Sequence, residues 1–297
     1  MPGSSTALIE TRLREAALDV GDVRELVDRA LAEDLDGGID VTSVATVPAD
    51  QRGALDLVAR ATGVVAGVPI AAAVFDRVGD GRVTIDMETP DGSRVCPGEV
   101  LLTATGPVRD LLLAERTALN LLCHLSGIAT ATHLWVSALG STETRVRDTR
   151  KTTPGLRRLE KYAVRCGGGV NHRMSLSDAA LVKDNHIVAA GGVAQAFRAV
   201  RTMAPDIPLE VEVDSLDQLE EVLEAGADLV LLDNFTPEQM SEAVRRTAGR
   251  ARLEASGGLT LESARAVGAT GVDFVAVGAL THSAPVLDIG ADLRELP

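Results

Sequence analysis

The chain has 297 residues, of which 45% are hydrophobic and only 2% are aromatic, and its formal net charge is −14. This hydrophobic fraction supplies a large core and excludes wholesale disorder, and the length suffices for about two domains. The negative charge and the scarcity of aromatic rings exclude a nucleic-acid or anionic-membrane partner for the molecule as a whole.

The cysteines and the N-terminal residues indicate where the protein works. Cys96, Cys123 and Cys166 are odd in number and lack CxxC spacing, as is typical of a reduced cytoplasmic protein without disulfides or structural zinc. Residues 1–20 contain acids and no apolar segment, so we predict no signal peptide. No stretch reaches the roughly 18 apolar residues of a membrane span. We therefore expect a cytoplasmic protein with a loosely ordered leader at 1–21.

The first half of the chain predicts an α+β domain. Val23, Val27 and Leu31 belong to a stripe with helical spacing. Short alternating segments separated by turn signals then predict strands at 54–60, 63–66, 82–87 and 100–105. A helix is predicted at 69–78. We expect an open α+β sandwich over 22–127, with 282–297 as a candidate returning segment.

A long helix is predicted at 108–139, with a break near Ser126-Gly127. From residue 144 the pattern alternates between short apolar strands and amphipathic helices. The strands are predicted at 144–147, 180–182, 209–213, 229–232, 252–255 and 274–277, and the helices at 193–203, 216–225, 237–247 and 261–267. Repeated βα units imply parallel strands with right-handed crossovers.

The alternating region favours a barrel over a dinucleotide-binding fold. No GxGxxG follows the first strand, so a Rossmann fingerprint is absent. Only about six or seven units are visible where a full barrel has eight. The predicted fold is therefore α/β, with an incomplete (β/α) barrel over 128–281 behind the α+β sandwich.

A basic segment interrupts the acidic sequence between residues 145 and 183. It contains three acids and ten cations, which leaves a net charge of +7. The cations are Arg145, Arg147, Arg150, Lys151, Arg157, Arg158, Lys161, Arg165, Arg173 and Lys183. Such a segment predicts a local anion site or a paired interface.

Polar residues follow the predicted strands, where barrel enzymes carry their functional groups. They occupy 148–151, 171–173, 183–186, 212–214, 233–234, 256–258 and 278. Acids on successive strand ends can hold a divalent cation or ribose hydroxyls, and glycine-rich ends let backbone N–H groups approach phosphate. Arginine forks bind carboxylates bidentately. The pattern predicts a site for a phosphorylated sugar with magnesium beside a small polycarboxylate.

Each of these residues also has a structural interpretation when it is taken alone. Arg150-Lys151 could be a solvated face, and His172 a hydrogen-bonded structural residue. Glu212 and Asp233 could pair with the basic segment. The pattern also leaves open a Schiff-base lyase using a lysine nucleophile, Lys151 or Lys183, and a non-catalytic phosphosugar-binding regulator.

An ordered series of motifs carries a resemblance to a known family. The motifs are DTRKTTPGLR at 148–157, EKYAVRCGGGVNHR at 160–173, LVKDNH at 181–186, EVEV at 210–213, LLDN at 231–234, EASGG at 254–258 and VAVG at 275–278. The first half adds ED at 33–34, DVT at 40–42, GVVAG at 63–67 and AERTALN at 114–120. In this order the series resembles the quinolinate phosphoribosyltransferase family.

The resemblance implies a type II phosphoribosyltransferase-like fold and a homodimer with shared active sites. It implies transfer of phosphoribosyl from phosphoribosyl pyrophosphate to quinolinate, giving nicotinate mononucleotide, pyrophosphate and CO2 for NAD biosynthesis. Mg2+ would be the cofactor. The nearest alternative is a homologue associated with molybdenum transport, which shares the fold.

Roles for individual residues also follow from the resemblance alone. Quinolinate would be bound by Arg150, His172, Arg173 and Lys183, together with Arg116 supplied by the partner subunit. The residues in contact with phosphoribosyl pyrophosphate would be Lys151, Glu212, Asp233, Ser256, Gly257, Gly258 and Gly278. Lys151, Glu212 and Asp233 would be catalytic, and the two acids would hold the metal directly or through water.

Overall fold

The structure is a computed structural model that describes residues 4–296. Its helices are α1 (Ser4–Glu15), α2 (Val20–Leu35), α3 (Val41–Thr46), α4 (Val68–Gly79), α5 (Val108–Leu139), α6 (Arg157–Cys166), α7 (Asp184–Ala190), α8 (Val193–Met203), α9 (Leu216–Glu224), α10 (Pro237–Thr247), α11 (Leu261–Gly268) and α12 (Ala279–His282).

Its strands are β1 (Arg52–Ala59), β2 (Gly63–Val64), β3 (Thr84–Met87), β4 (Arg94–Val95), β5 (Val100–Pro107), β6 (Arg145–Arg147), β7 (Ala180–Val182), β8 (Leu209–Val213), β9 (Leu229–Asp233), β10 (Arg252–Ser256), β11 (Phe274–Ala276) and β12 (Ile289–Glu295). The chain divides into two compact units. Unit 1 runs to residue 131 and includes 158–167 and the residues from 284 onward, and unit 2 comprises 132–157 and 168–283.

Unit 1 is built on an antiparallel sheet with the strand order β12-β1-β5-β3. The C-terminal strand β12 pairs with β1 along its whole length, from Gly53 opposite Glu295 to Ala59 opposite Ile289. Helix α4 packs on this sheet and buries an apolar side that includes Phe75. A mixed α+β layer with a returning C-terminal strand is the result.

The N-terminal segment is more ordered than its polar sequence suggests. Residues 4–15 form α1, and Ile9 and Leu13 on it are only 3% and 1% exposed. These side chains lie four residues apart, on one face of the helix, and α1 packs against α4. The prediction of a loosely ordered leader over 1–21 is therefore wrong for the described part, and residues 1–3 lie outside it.

Helix α5 spans the residues predicted for it, but the expected break near Ser126-Gly127 is wrong. The two small residues serve close packing instead. A Cβ atom on Gly127 would lie 2.2 Å from the carbonyl oxygen of Pro285, and the Ser126 hydroxyl donates to the carbonyl of Ala66. No helix among residues 4–296, α5 included, is long and apolar enough to cross a membrane.

Unit 2 contains a parallel sheet with the strand order β6-β11-β10-β9-β8-β7. Its strands lie within about two residues of the predicted bounds. The helices that follow β8, β9 and β10 are capped by the side chains of Ser215, Thr236 and Thr260, which directly precede them. The sheet stays open between β6 and β7, apart from one bridge between Arg147 and Val170. The predicted incomplete barrel is confirmed, and the carboxyl ends of its strands share one edge.

Candidate active site

A cavity of about 520 Å³ lies at the carboxyl ends of the parallel strands of unit 2. Of the predicted site residues it brings together Arg150, Lys151, His172, Arg173, Lys183, Glu212, Asp233, Ser256 and Gly257. Thr149, Leu181, Leu231, Asn234, Glu254 and Ala276 complete the lining. A larger cavity of about 720 Å³ in unit 1 contains none of the predicted residues, so the smaller cavity is the candidate active site.

Two arginines of this cavity form no ion pair with a described carboxylate, although the negative charges of Asp178 and Glu210 act on Arg173. Burial lowers the pKa of Arg173, and repulsion from Arg150 lowers it further, so the two guanidinium groups lie close together. The Nε atom of Arg150 is buried and has no hydrogen-bond partner among the described residues. Arg173 donates from Nη1 to the carbonyl of Ala179 at 2.9 Å. Adjacent cations with unused donors are suited to an anionic ligand that bears more than one carboxylate.

A second part of the lining carries acids on two neighbouring strands. Glu212, from β8, accepts a 2.8 Å hydrogen bond from the Nζ atom of Lys183. Burial raises the pKa of Asp233, at the end of β9, and the nearby negative charge of Glu212 raises it further. Asn234 donates from Nδ2 to Asp233 at 2.8 Å. Because hard cations prefer oxygen ligands and Mg2+ commonly takes one or two carboxylates plus phosphate oxygens, this donor set fits Mg2+.

Glycines form the third side, where the chain leaves β10. Gly257 has a φ angle of +87°, and a Cβ atom there would lie 2.2 Å from Oδ1 of Asn234. Gly258 follows it with a φ angle of +61°. Gly278, after β11, lies against the side chain of Lys151, whose Cδ atom would be 3.0 Å from a Cβ atom on that glycine. Because these glycines have no side chains, backbone N–H groups and a lysine can both contact the oxygens of a bound phosphate.

His172 lies in the lining, but its ring is already engaged. Its Nδ1 atom accepts a hydrogen bond from the backbone N–H of Arg173 at 2.6 Å, and its Nε2 atom is 2.7 Å from Oε2 of Glu210. Its predicted contact with quinolinate stays a prediction, because in this structure both nitrogens point to protein groups.

A buried acid pair lies behind His172. Burial raises the pKa of Glu210 and of Glu254 to about 7, so this pair retains protons near neutral pH. Arg147 donates from Nη1 to Oε2 of Glu254 at 2.7 Å. His172 and the two acids have the spacing of metal ligands, but Arg147 already supplies a positive charge there. We therefore interpret the cluster as part of the protein interior and not as a metal site.

The cations of the basic segment do not all lie on one continuous surface of the cavity. Four of its cations line the cavity: Arg150, Lys151, Arg173 and Lys183. Arg147 is half-buried and pairs with Glu254, whereas Arg158 belongs to unit 1, where it pairs with Asp22. The segment divides because α6 lies in unit 1 while the residues on either side of it belong to unit 2.

Three predicted site residues do not line this cavity: Gly258 and Gly278, which neighbour lining residues, and Arg116. Arg116 lies elsewhere. It is exposed on α5, in unit 1, and forms no ion pair with a described carboxylate. A small pocket of about 240 Å³ surrounds it, with Glu33, Asp34 and Asn120 in the lining. That Arg116 contributes to the active site of a neighbouring subunit stays a prediction.

Two polar residues of the lining, Asn234 and Glu254, had no predicted role. Asn234 directly follows Asp233 and has a φ angle of 58°, a conformation that asparagine tolerates better than most residues. Glu254 lies two residues before Ser256, so both side chains leave β10 on the same face. A strand-end asparagine and a strand acid in phase with a site residue are the signals that could have found them.

Comparisons with known proteins identify the family of the chain. Residues 40–126 match the N-terminal domain of quinolinate phosphoribosyl transferase, and residues 128–292 match its C-terminal domain. The chain is 54% identical over 274 residues to nicotinate-nucleotide pyrophosphorylase [carboxylating] of Mycobacterium leprae, covering 91% of this chain and 96% of that protein. It is 41% identical to a probable enzyme of the same name from Bacillus subtilis, covering 91% and 93%.

Solved structures lead to the same family. The crystal structure of NadC from Streptococcus pyogenes is 42% identical to this chain and superimposes with a TM-score of 0.90, covering 94% of this chain and 99% of that one. The matches include both domains, and the parallel strand ends carry the predicted cations, acids and glycines. The chain therefore belongs to the quinolinate phosphoribosyltransferase family.

Proposed function

We propose that this chain transfers the phosphoribosyl group from phosphoribosyl pyrophosphate to quinolinate and releases pyrophosphate and CO2, giving nicotinate mononucleotide. The observation that carries the proposal is the pair of adjacent guanidinium groups, Arg150 and Arg173, in the same cavity as Glu212 and Asp233. The relatives named nicotinate-nucleotide pyrophosphorylase [carboxylating] support the same reaction.

Quinolinate is a small dianion, and the cations of the cavity match it. Arg150 and Arg173 bind its carboxylates through their planar donors, and Lys183 adds a third positive charge. Lys183 is paired with Glu212 in this structure, so quinolinate competes with that carboxylate for the ammonium group. Binding of the diacid relieves the repulsion between the two arginines.

Phosphoribosyl pyrophosphate occupies the other side. Its phosphates lie against Lys151 and the exposed backbone at Gly257 and Gly278, while Glu212 and Asp233 would hold Mg2+, directly or through water. Mg2+ supplies charge neutralisation for the departing pyrophosphate. The protein's own contribution is to position the two substrates and to place fixed charges around them.

The reaction then proceeds by substitution and decarboxylation. The pyridine nitrogen donates its lone pair to the anomeric carbon, and the carbon–oxygen bond to pyrophosphate breaks with its electron pair leaving on pyrophosphate. The new bond makes the ring nitrogen cationic. The adjacent carboxylate leaves as CO2, its bonding electrons stay on the ring carbon, and a proton replaces it. Arg150 and Arg173 keep the other carboxylate in place meanwhile.

The direct test is incubation with quinolinate, phosphoribosyl pyrophosphate and Mg2+, with detection of nicotinate mononucleotide and CO2. Nicotinate serves as the matched substrate, because it lacks one carboxylate and would leave a buried cation unpaired. We expect it to react at least a hundredfold more slowly, since losing a charge-paired partner costs roughly 3 kcal/mol. Equal turnover of the two acids would refute the diacid assignment.

The same assay separates the competing functions. A phosphosugar-binding regulator would bind phosphoribosyl pyrophosphate without releasing pyrophosphate. A Schiff-base lyase would be trapped on Lys151 or Lys183 by borohydride in the presence of a carbonyl substrate. A homologue associated with molybdenum transport would fail to form nicotinate mononucleotide.

We further propose a cytoplasmic homodimer in which the partner subunit's Arg116 completes each site. The exposure of this side chain and its lack of an ion pair in unit 1 support the proposal. Arg116→Ala and Arg150→Ala should each be inactive alone. Mixing them should restore activity, because some mixed dimers contain one intact site. No regain on mixing, with subunit exchange verified, would contradict shared sites.

A further inference from the structure

The backbone of Lys151 is held by two threonine hydroxyls. Its N–H donates to Oγ1 of Thr149 at 3.0 Å, and its carbonyl accepts from Oγ1 of Thr281 at 2.8 Å. Thr149 lies on the same loop as Lys151, whereas Thr281 comes from α12, 130 residues further along the chain. The second contact is therefore a tertiary link between two strand ends.

Thr281 is placed to make this link rigid. It is only 1% exposed, and its hydroxyl is also 3.3 Å from the carbonyl of Gly278. Gly278 in turn touches the side chain of Lys151, whose Cδ atom would be 3.0 Å from a Cβ atom on the glycine. One buried hydroxyl thus lies between the loop after β6 and the turn after β11.

The geometry points to Thr281 as a positioning residue that holds Lys151 and Gly278 in register as one phosphate-binding unit. This inference rests on the proposed function, because it assigns the two held residues to phosphoribosyl pyrophosphate. Thr281 itself does not line the cavity. Its hydroxyl cannot be replaced by water without a rearrangement, because it is buried, so its loss leaves the Lys151 carbonyl without that partner.

The chain offers a closely matched control. Thr144 is also buried, at 7% exposure, and its hydroxyl lies 2.7 Å from the carbonyl of Val272 and 3.4 Å from that of Gly268. It precedes β6, at the opposite end of that strand from Lys151. Thr144→Val therefore removes the same kind of hydrogen bond from the same unit without touching the phosphate-binding residues.

The experiment compares Thr281→Val, Thr281→Ser and Thr144→Val with the wild-type enzyme. Binding of phosphoribosyl pyrophosphate with Mg2+, and of quinolinate, is measured by calorimetry, and KM and kcat by steady-state assay. We expect Thr281→Val to raise the Kd for phosphoribosyl pyrophosphate about tenfold, the equivalent of roughly 1.4 kcal/mol for one buried hydrogen bond. The Kd for quinolinate should change less than about twofold. Thr281→Ser retains the hydroxyl and should bind both substrates as the wild type does.

Thr144→Val should lower the thermal stability of the protein without weakening the binding of either substrate. If Thr281→Val does not fold, Thr281→Ala compared with Thr281→Ser isolates the hydroxyl in the same way. The positioning role is overturned if Thr281→Val and Thr144→Val have the same Kd for phosphoribosyl pyrophosphate. It is also overturned if Thr281→Val weakens the binding of both substrates equally. A wild-type protein that neither binds phosphoribosyl pyrophosphate nor forms nicotinate mononucleotide would instead overturn the proposed function, and the positioning role with it.

Discussion

The buried acid pair behind the active site should make stability depend on pH in a specific direction. Glu254 is fully buried and its pKa is raised to about 7, chiefly by burial and then by the negative charge of Glu210. Folding therefore takes up protons between the ordinary value of 4.5 and about 7. Because the folded state binds more protons in this window, the free energy of unfolding falls as pH rises through it and levels off above about 7.

The size of the effect follows from the displaced pKa. The pKa of Glu254 rises from 4.5 in the unfolded chain to about 7 in the folded protein. At about 1.4 kcal/mol per pKa unit, the free energy of unfolding falls by about 3 kcal/mol as the pH rises across this window. Glu254→Gln removes this titration while retaining the shape and one acceptor oxygen for Arg147. The difference in unfolding free energy, wild type minus variant, should therefore fall by about 3 kcal/mol between pH 4.5 and 7.

Urea denaturation at pH 5, 6, 7 and 8 would measure this difference. The fluorescence of Trp135 is a suitable signal, because it is the single tryptophan, only 7% exposed, and lies in the same unit as the acid pair. Glu221→Gln, at an exposed position on α9, is the matched substitution and should leave the pH dependence as it is in the wild type. A flat difference curve, or one that rises with pH, would refute a buried acid pair that retains protons.

Three further substitutions test the site and the fold. Gly257→Ala places a Cβ atom 2.2 Å from Oδ1 of Asn234 and forces alanine into a φ angle of +87°. Calorimetry should therefore show that binding of phosphoribosyl pyrophosphate is lost while binding of quinolinate is retained. Unchanged binding of both substrates would contradict the phosphate assignment. Asp233→Asn removes one predicted metal ligand, and the Mg2+ concentration for half-maximal rate should rise about tenfold in steady-state assays; an unchanged requirement would exclude that role. Gly127→Ala places a Cβ atom 2.2 Å from the carbonyl oxygen of Pro285. The free energy of unfolding measured in urea should therefore fall by about 3 kcal/mol. A fall of less than about 1 kcal/mol would show that α5 can shift to accommodate the methyl group.

Local chemistry explains why so much of the barrel was predictable. The strand at 209–213 and the helix at 237–247 have the bounds predicted for them, because an apolar run and a capped amphipathic stretch mark each one. Ser215 and Thr236 cap the helices after β8 and β9 with their own side chains. These signals act within a few residues of chain, so they can be recognised without the tertiary structure.

Three differences between the predicted and the observed fold depend on partners far away in the chain. Helix α1 is ordered because Ile9 and Leu13 are buried where it packs against α4, more than fifty residues later in sequence. Helix α6 belongs to unit 1 although its neighbours on both sides belong to unit 2. Gly127 suggested a break in α5, but it admits the backbone at Pro285. A local pattern contains no information about which distant segment will pack on it.

The sequence by itself determined the kinds of groups at the strand ends: cations for carboxylates, acids for a metal, and glycines for phosphate. Its ordered motifs also determined the family resemblance. Only the tertiary structure decided which cations remain available to a ligand. Arg147 and Arg150 are three residues apart, yet Arg147 donates a hydrogen bond to Glu254, 107 residues away, whereas the buried Nε of Arg150 has no described partner. The reason is that compensation of a buried charge depends on contacts within a few ångströms, and folding alone brings those partners together.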